Sequence, residues 1–394
     1  MSERSGEMNE AVILSAVRTP IATSFKGTLR DTSAEQLATV VVRAAVERSG
    51  LSGRDIDDVI LAEELAGGGD IARYAAVAAG LTHVPGQAVN RHCAASLAAV
   101  GNAAAAVRAG MDRAVVAGGT HSASMNPALS WRIPGSDERR TGFAPTFPHY
   151  EDATDDVVMS VGWNTAQEAG ITRSELDAWA KRSHDRAVTA IDKGLFAEET
   201  VPVDAVLDGK PVRFTTDEHP RRTSTLDKLA TLPPLRPGID GFSITAGNAA
   251  GVNDAAAALV VAGSDLAVER GREPLARIRA WAAVGVAPHR TGMAAVEVIP
   301  KVLDRAGLTV ADVDVWEINE AFASVPIAAC RLLGIDEEKV NLHGSGCSLG
   351  HPVAASGARM LTTLAFELRR RGGGIAVAAM CAAGGQGGAV VIEA

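Results

Sequence analysis

Val89-Asn-Arg-His-Cys-Ala-Ala-Ser-Leu97 sets one cysteine, Cys93, between a short apolar segment and a long run of small residues. Residues 87–89 read as a strand, and residues 94–109 as an alanine-rich helix that Gly110 stops. A strand that hands straight to a helix is the building unit of an α/β sheet. The step places Cys93 among unpaired backbone N–H groups, at the positive end of the helix dipole. Both favour thiolate over thiol, which is how a reactive cysteine is made. A free cysteine is also a common small core residue, so this step alone does not define a site.

The same alternation continues on both sides. Residues 11–17 read as a buried strand, and Thr32-Ser-Ala-Glu35 as a capping box opening a helix to Ser49 with Gly50 at its end. A strand at 56–61, a break at Gly67-Gly-Gly-Asp70 and a small-residue segment at 71–81 follow. Beyond the Cys93 helix, residues 113–117 form a strand that Gly118-Gly119 closes. The pattern predicts a mixed, largely parallel sheet. Residues 121–150, with Pro127, Pro134, Pro145 and Pro148, read as extended loop. Thr172-Arg-Ser-Glu175 opens a charged helix to about Lys193, and residues 201–238 are again proline-rich. Residues 121–249 therefore read as an insertion on top of the sheet. Residues 244–261 are nearly all small and suit a helix packed tightly against it.

The second half repeats the first. Gly50-Leu-Ser-Gly-Arg-Asp-Ile-Asp-Asp-Val59 resembles Gly307-Leu-Thr-Val-Ala-Asp-Val-Asp-Val-Trp316. Val89-Asn-Arg-His92 resembles Val340-Asn-Leu-His343, and Ala114-Val-Val-Ala117 resembles Ala376-Val-Ala-Ala379. Three matches in the same order are what a duplicated α/β domain leaves behind.

Composition narrows the function. The chain has 394 residues, 47% of them hydrophobic, enough for a sizeable core. A net charge of -9, with no basic run interleaved with aromatics, argues against nucleic acid as a partner. The four cysteines, Cys93, Cys330, Cys347 and Cys381, form no C-x-x-C pair and read as free thiols in a reducing compartment. The N-terminus is polar and acidic, unlike a signal or transit peptide. The longest apolar run, 94–107, is broken by Ser96, Gly101 and Asn102 and is too short to span a bilayer. A cytoplasmic protein without membrane insertion is the expectation.

Three further polar signals fall at strand ends. Asn319-Glu-Ala-Phe-Ala323 follows a strand at 313–318; an Asn and a Glu there must be hydrogen-bonded if buried, or else cap the next helix. Gly344-Ser-Gly-Cys-Ser-Leu-Gly-His-Pro-Val-Ala-Ala-Ser-Gly357 sets His351 on a glycine-rich loop before a helix from about Ala354. Cys381-Ala-Ala-Gly-Gly-Gln-Gly-Gly388 follows a strand at 375–380, and its turn can aim backbone N–H groups at an oxyanion.

In order, spacing and total length these boxes resemble the thiolase family over the whole chain. Arg18-Thr19-Pro20, Asp217-Glu218, Thr245-Ala-Gly-Asn248 and Asn253-Asp254 are smaller echoes of it. The resemblance implies an α/β fold of two βαβαβαββ halves stacked in five layers, α/β/α/β/α. Residues 1–274 would be the N-terminal half, with the 121–249 insertion over the active site, and 275–394 the C-terminal half. It implies a homodimer or dimer of dimers that acts on acyl-CoA and CoA as substrates, with no permanently bound cofactor and no metal. Cys93 would be the nucleophile, His351 the base that keeps it ionised, Cys381 the second acid/base, and Asn319 the holder of a water at the enolate oxygen. The N–H groups of Cys93 and Ala383 would form an oxyanion hole, and Arg221, Ala246, Ala249 and Ala250 would contact CoA.

Several positions depart from the family pattern. Ser96 stands where a glycine is usual after the nucleophile, and His121 where the A-G-G-x-E-S-M-S segment has a glutamate. Ala250 replaces a serine that many thiolases offer to pantetheine, Ala294 and Ala295 alter the G-x-G-P segment, and Trp163 adds bulk. An altered acyl pocket is the expectation. A decarboxylating ketoacyl synthase shares this architecture but uses a Cys-His-His or Cys-His-Asn set, which Cys381 argues against. A catalytically weak thiolase-like lipid-binding protein is the other alternative.

Overall fold

The computed structural model describes residues 9–64, 68–148 and 154–394. The polar residues 1–8, Gly67 of the glycine break and residues 149–153 of the expected insertion lie outside them. The first half runs β1 (Ala11–Arg18), α1 (Ala34–Ser49), β2 (Asp58–Ala62), α2 (Ile71–Ala78), β3 (Gly86–Val89), α3 (Ala95–Arg108) and β4 (Ala114–His121). After a long intervening segment that carries helix α4 (Arg173–Asp192), it closes with β5 (Asn253–Gly263). The second half runs β6 (Ala276–Gly285), α5 (Ala294–Ala306), β7 (Val315–Ile318), α6 (Ser324–Leu333), α7 (Ser356–Arg371), β8 (Ile375–Ala382) and β9 (Gln386–Glu393).

The strands lie in the order β7-β8-β9-β6-β1-β5-β4-β2-β3. At the β1–β6 seam only Val12 with Arg277 and Ile13 with Ala276 are paired. Outward from the seam the two halves read alike, β1-β5-β4-β2-β3 and β6-β9-β8-β7, with Val340 bridging to Trp316 where β3 would have its counterpart. Gly50 and Gly307 end α1 and α5 in the same left-handed conformation, φ 67° at each. Each is followed by a short capped turn, Gly53–Asp55 and Val310–Asp312. The duplication read from the sequence is thus present in the fold.

Three helix layers separate and cover the two sheet halves. Helices α1 and α2 bury Leu37, Val41 and Ile71 on the outer face of the first half. Helices α5 and α6 bury Val298, Ile299 and Val325 on the outer face of the second. Helices α3 and α7 lie between, their Val100, Ala103, Leu361 and Leu364 packed against Ile13, Ile60 and Val390. The result is the α/β/α/β/α stack.

The sheet is less parallel than predicted. Only β2–β3, β2–β4 and β7–β8 are parallel, and the centre is antiparallel. Residues 253–261, expected within a helix, belong to strand β5. Ala256 and Ala258 face the α1/α2 core while Ala257 and Leu259 face the α3/α7 core. A strand buried on both faces shows no alternation, so its periodicity could not separate it from a helix. Gly118 and Gly119 do not close β4 but sit inside it. A Cβ at Gly118 would overlap the Ala257 carbonyl oxygen, and one at Gly119 the Ala354 carbonyl oxygen. They are close-approach glycines, not stops. The capping box of α1 is Ser33 with Gln36, not Thr32 with Glu35. Thr32 is committed to a preceding turn through its N–H to Leu29 O at 2.9 Å. The box at Thr172 and Glu175 is as read. The proline-rich stretches hold small hairpins, Ser130–Arg132 with Arg139–Thr141 and Val203–Leu207 with Lys210–Phe214. No strand between residues 122 and 252 enters the large sheet among the described residues.

A buried ion network fastens this intervening segment to β1. Arg18, 1% exposed, reaches Glu199 Oε1 at 2.6 Å and both oxygens of Asp217 at 2.8 and 2.9 Å. Asp217 also accepts the Ile21 N–H at 2.7 Å. Replacing one member of such a network leaves charges buried without a partner. Arg18→Met is therefore predicted to destabilise the fold by roughly 3–5 kcal/mol. Thermal denaturation checks this, and an unchanged melting temperature would mean that the network contributes no net stability.

Candidate active site

Cys93 sits in a short turn, His92–Ala94, between β3 and α3. His92 adopts φ 45°, an uncommon conformation for a side-chain-bearing residue. Asn90 Oδ1 accepts its N–H at 2.8 Å, and Glu64 Oε1 lies 3.2 Å from its ring Nδ1. Burial pushes the Cys93 thiol well up, and the neighbouring Glu64 and Cys381 add to this. The backbone N–H groups of Ala383 and of Cys93 itself act in the opposite direction. Desolvation and a neighbouring carboxylate thus act against the thiolate that the N–H groups favour.

The helix that leaves this turn crosses α7. Ser96 Oγ accepts the Ala358 N–H at 3.0 Å. Ala355, the N-cap of α7, provides no side-chain cap of its own. Ser96 thus caps a helix of the other half, a role a glycine could not fill. A Cβ at Gly357 would lie 2.8 Å from Leu97 N and 2.9 Å from Ser96 Oγ, so the two helix starts touch through a glycine.

His351 precedes α7 and is 8% exposed. Its N–H donates to Asn253 Oδ1 at 3.0 Å, and its Nδ1 lies 2.6 Å from Ser356 Oγ. Ser356 donates its own hydroxyl proton to Pro352 O at 2.9 Å, so Nδ1 carries a proton and donates to Ser356. Nε2 is left with its lone pair, buried and without a protein partner among the described residues. Burial, with His121 and Arg359 nearby, lowers the His351 pKa to about 3, so the ring is neutral.

Asn319 leaves β7 beside β8, its N–H bonded to Ala379 O at 3.0 Å. Its amide lies 3.4 Å from His351 Nδ1, and Asn319 Oδ1 is buried without a partner. An Nδ1 that carries a proton faces an oxygen rather than an NH₂ group, so the amide is better read with Oδ1 toward His351. The helix-cap alternative for this segment does not hold, since α6 begins only at Ser324. Glu320 is a buried hub: it accepts from Trp179 Nε1 at 2.9 Å, Ser183 Oγ at 2.6 Å and Asn341 Nδ2 at 2.8 Å.

Cys381 lies near the end of β8, opposite Gly387 of β9. Burial holds its thiol at about 12. The turn that follows uses Gly384 and Gly385 at φ 78° and 75°, and it is this turn that brings the Ala383 N–H to the Cys93 sulfur. A Cβ on Gly387 would overlap the Ala294 carbonyl oxygen. Ala294 and Ala295 are fully buried, so these two substitutions alter packing beside Cys381 rather than an open pocket. Trp163 stacks on Phe242 with ring centroids 4.7 Å apart.

Arg221, Ala246, Ala249 and Ala250 all line one cavity of about 700 Å³. Cys93, His351, Asn319, Cys381 and Ala383 are not in its walls. Val252, one of its lining residues, bridges to His351. The 248–250 wall is tied to the Asn319 segment by Ala250 N–H to Ala321 O and Ala323 N–H to Asn248 O, both 2.9 Å. Lys26, His184, His219 and Lys228 also line the cavity and escaped the sequence reading. Only the Asp217-Glu218 echo just before His219 pointed there. Among the described residues there is no cluster of three or more metal-ligating side chains, and no helix long and apolar enough to cross a membrane.

Residues 11–265 match the thiolase N-terminal domain and residues 272–394 the thiolase C-terminal domain. The chain is 40% identical over 400 residues to the acetyl-CoA acetyltransferase of Escherichia coli K12, covering 98% of this chain and 99% of that one. It is 37% identical over 403 residues to the 3-ketoacyl-CoA thiolase of Bacillus subtilis 168, covering 98% and 100%. The crystal structure of the Bacillus anthracis acetyl-CoA acetyltransferase superposes with a TM-score of 0.91 at 37% identity, over 99% of this chain and all of that one. Boxes, duplicated halves, layers and relatives agree, and the chain belongs to the thiolase family.

Proposed function

We propose that the protein is a CoA-dependent thiolase, an acyl-CoA C-acyltransferase that makes or cleaves the C–C bond of a 3-ketoacyl-CoA through an acyl-thioester on Cys93. The observation that carries this reading is the unpartnered Nε2 of His351, a neutral imidazole lone pair buried beside Asn319 and the end of β8. A buried acceptor without a partner is costly unless a reactant uses it.

In thiolysis the Cys93 proton passes to His351 Nε2 as the sulfur attacks the 3-keto carbon. Because both groups start neutral, the proton moves with the attack rather than before it. The N–H groups of Cys93 and Ala383 hold the oxyanion. The bond between the keto carbon and the α-carbon then breaks, and its electron pair becomes the enolate of the departing acyl-CoA. Asn319, through a water, and the now protonated His351 hold that enolate oxygen, and the Cys381 thiol returns a proton to carbon. CoA next gives its thiol proton to Cys381, its sulfur attacks the acyl carbon, and the Cys93 sulfur leaves as it takes its proton back from His351 Nε2. Condensation is the reverse.

We also infer a cytoplasmic homodimer or dimer of dimers, with 1–274 and 275–394 as the two halves and 121–249 covering the site. Edge strand β3, whose outer side pairs with no described residue, supports association.

Incubation with acyl-CoA is predicted to add one acyl group at Cys93, found by intact-mass and peptide mass spectrometry. Cys93→Ser is predicted to stay unlabelled, and acylation mainly at Cys330 or Cys347 would contradict the assignment.

Cys381→Ala is predicted to acylate normally at Cys93 while condensation and thiolysis fall by about 10²-fold or more. Near-normal condensation by that variant would rule out the proposed proton transfer.

The raised Cys93 thiol also fixes a pH dependence. Below its pKa the thiolate fraction grows about tenfold per pH unit, so alkylation of the free enzyme by iodoacetamide should still be climbing at alkaline pH. A plateau already reached at neutral pH would show an ion pair with His351 instead.

A further inference from the structure

A carboxylate and two imidazoles stand around the turn of Cys93 and take no part in the chemistry above. Strand β2 runs parallel between β3 and β4, with Ala62 opposite both Val89 and Gly119. Just past these three positions come Glu64, His92 and His121. A Cβ on Gly119 would point into the layer of α3 and α7, at the Ala354 carbonyl oxygen. Side chains alternate along a strand, so His121, two residues further on β4, shares that face. It is 5% exposed. Glu64 and His92 lie nearer solvent.

His92 directly precedes the nucleophile and is held at φ 45°, where side-chain-bearing residues are seldom found. Two contacts keep it there. Asn90 takes its backbone N–H, and Glu64 Oε1 meets its ring Nδ1 at 3.2 Å. A carboxylate oxygen only accepts, so Nδ1 carries a proton and donates. His92 is the only ion-pair partner of Glu64 among the described residues. The pair thus ties the end of β2 to the turn that presents Cys93.

Glu64 also acts on its neighbours through its charge. After burial it is the main influence that raises the Cys93 thiol, and it works against the burial that lowers His121. The other titratable groups around the turn are Cys381 of β8, which acts on Cys93, and Asp254 of β5, which acts on His121. His351, ahead of α7, is acted on by His121 and by Arg359 of α7.

We propose that Glu64 and His92 are positioning residues of the nucleophile: their hydrogen bond holds the left-handed turn that aims Cys93, and the carboxylate keeps a negative charge beside it. That charge opposes a free thiolate but not the uncharged acyl-thioester, so it guards the resting thiol without penalising the acyl-enzyme. The inference rests on Cys93 as the nucleophile of the proposed reaction.

Two rates measured on the whole enzyme by intact-mass spectrometry test it. One is alkylation of Cys93 by iodoacetamide across pH, and the other is its acylation by acetyl-, hexanoyl- and octanoyl-CoA. Glu64→Gln keeps size and an acceptor but removes the charge. Its alkylation at neutral pH should rise roughly three- to tenfold, the profile moving to lower pH, while acylation changes by less than about threefold. His92→Phe removes the donor, frees the turn and leaves the carboxylate unpaired. Both rates should fall, acylation by about tenfold or more. His92→Asn sets an amide donor near the place of Nδ1 and tolerates positive φ, so it should recover most of that loss. Unchanged alkylation in Glu64→Gln would overturn the role given to the charge. A His92→Asn variant as slow as His92→Phe would overturn the positioning role. If wild-type Cys93 is alkylated but takes an acyl group from none of the three thioesters, the thiolase reading fails, and the alkylation series still decides the role of Glu64.

Discussion

The crossing of α3 and α7 holds the architecture and the candidate site together. Strand pairing between the halves is confined to Val12 with Arg277 and Ile13 with Ala276, too short a seam to fix their orientation. The two central helices fix it instead. Gly357 lets their first turns meet, and the Ser96 hydroxyl takes the Ala358 N–H that α7 leaves open. Cys93 lies just before one helix and His351 just before the other, so the contact that aligns the layers also bears on how the proposed nucleophile and base sit. A bulkier residue at Gly357 would act on both at once.

Small residues extend this control around the site. Gly119 has no room for a Cβ beside Ala354, and a Cβ on Gly388 would lie 3.0 Å from that of Ala94. Ala62, Ala95 and Ala354 form a fully buried cluster of their own. Such packing brings backbone, rather than side chains, close to Cys93, and backbone N–H groups cannot rotate away from it. The same density buries His351 and Cys381, while Cys93 keeps partial exposure. Burial holds the His351 ring and the Cys381 thiol neutral.

Much of this was legible in the residues. The four boxes, their order and the internal repeat gave the family likeness, and the repeat reappears as matched strand orders. Capping at Thr172 and stops at Gly50 and Gly110 were local signals and held locally. What failed depended on tertiary neighbours. The alanine run of β5 has helices on both faces and so lost its alternation. Gly118 and Gly119 looked like a stop because their partners, Ala257 and Ala354, are distant in sequence. The helix-start argument for Cys93 was sound for its N–H groups but could not include Glu64 or burial. Ser96 read as a defect beside the nucleophile until Ala358 appeared opposite it. His184 lay hidden on a charged helix, since nothing in residues 173–192 says which polar side chain turns inward.

The ion network under the cavity bears on how fast a ligand can be taken in. Asp217 and Glu199 are both held by a fully enclosed guanidinium, and Glu218 accepts the Thr23 N–H at 2.8 Å and the Thr28 hydroxyl at 2.7 Å. The segments carrying Arg221 and Lys26 are thereby clamped to each other and to β1 before any ligand arrives. Those two segments then need no ordering when a guest enters, so little entropy is lost there on association. Capture of a long, flexible guest would be limited mainly by threading the guest's own rotatable bonds into a fixed channel. Selectivity in such a channel resides in the guest's shape and stiffness as much as in its charge.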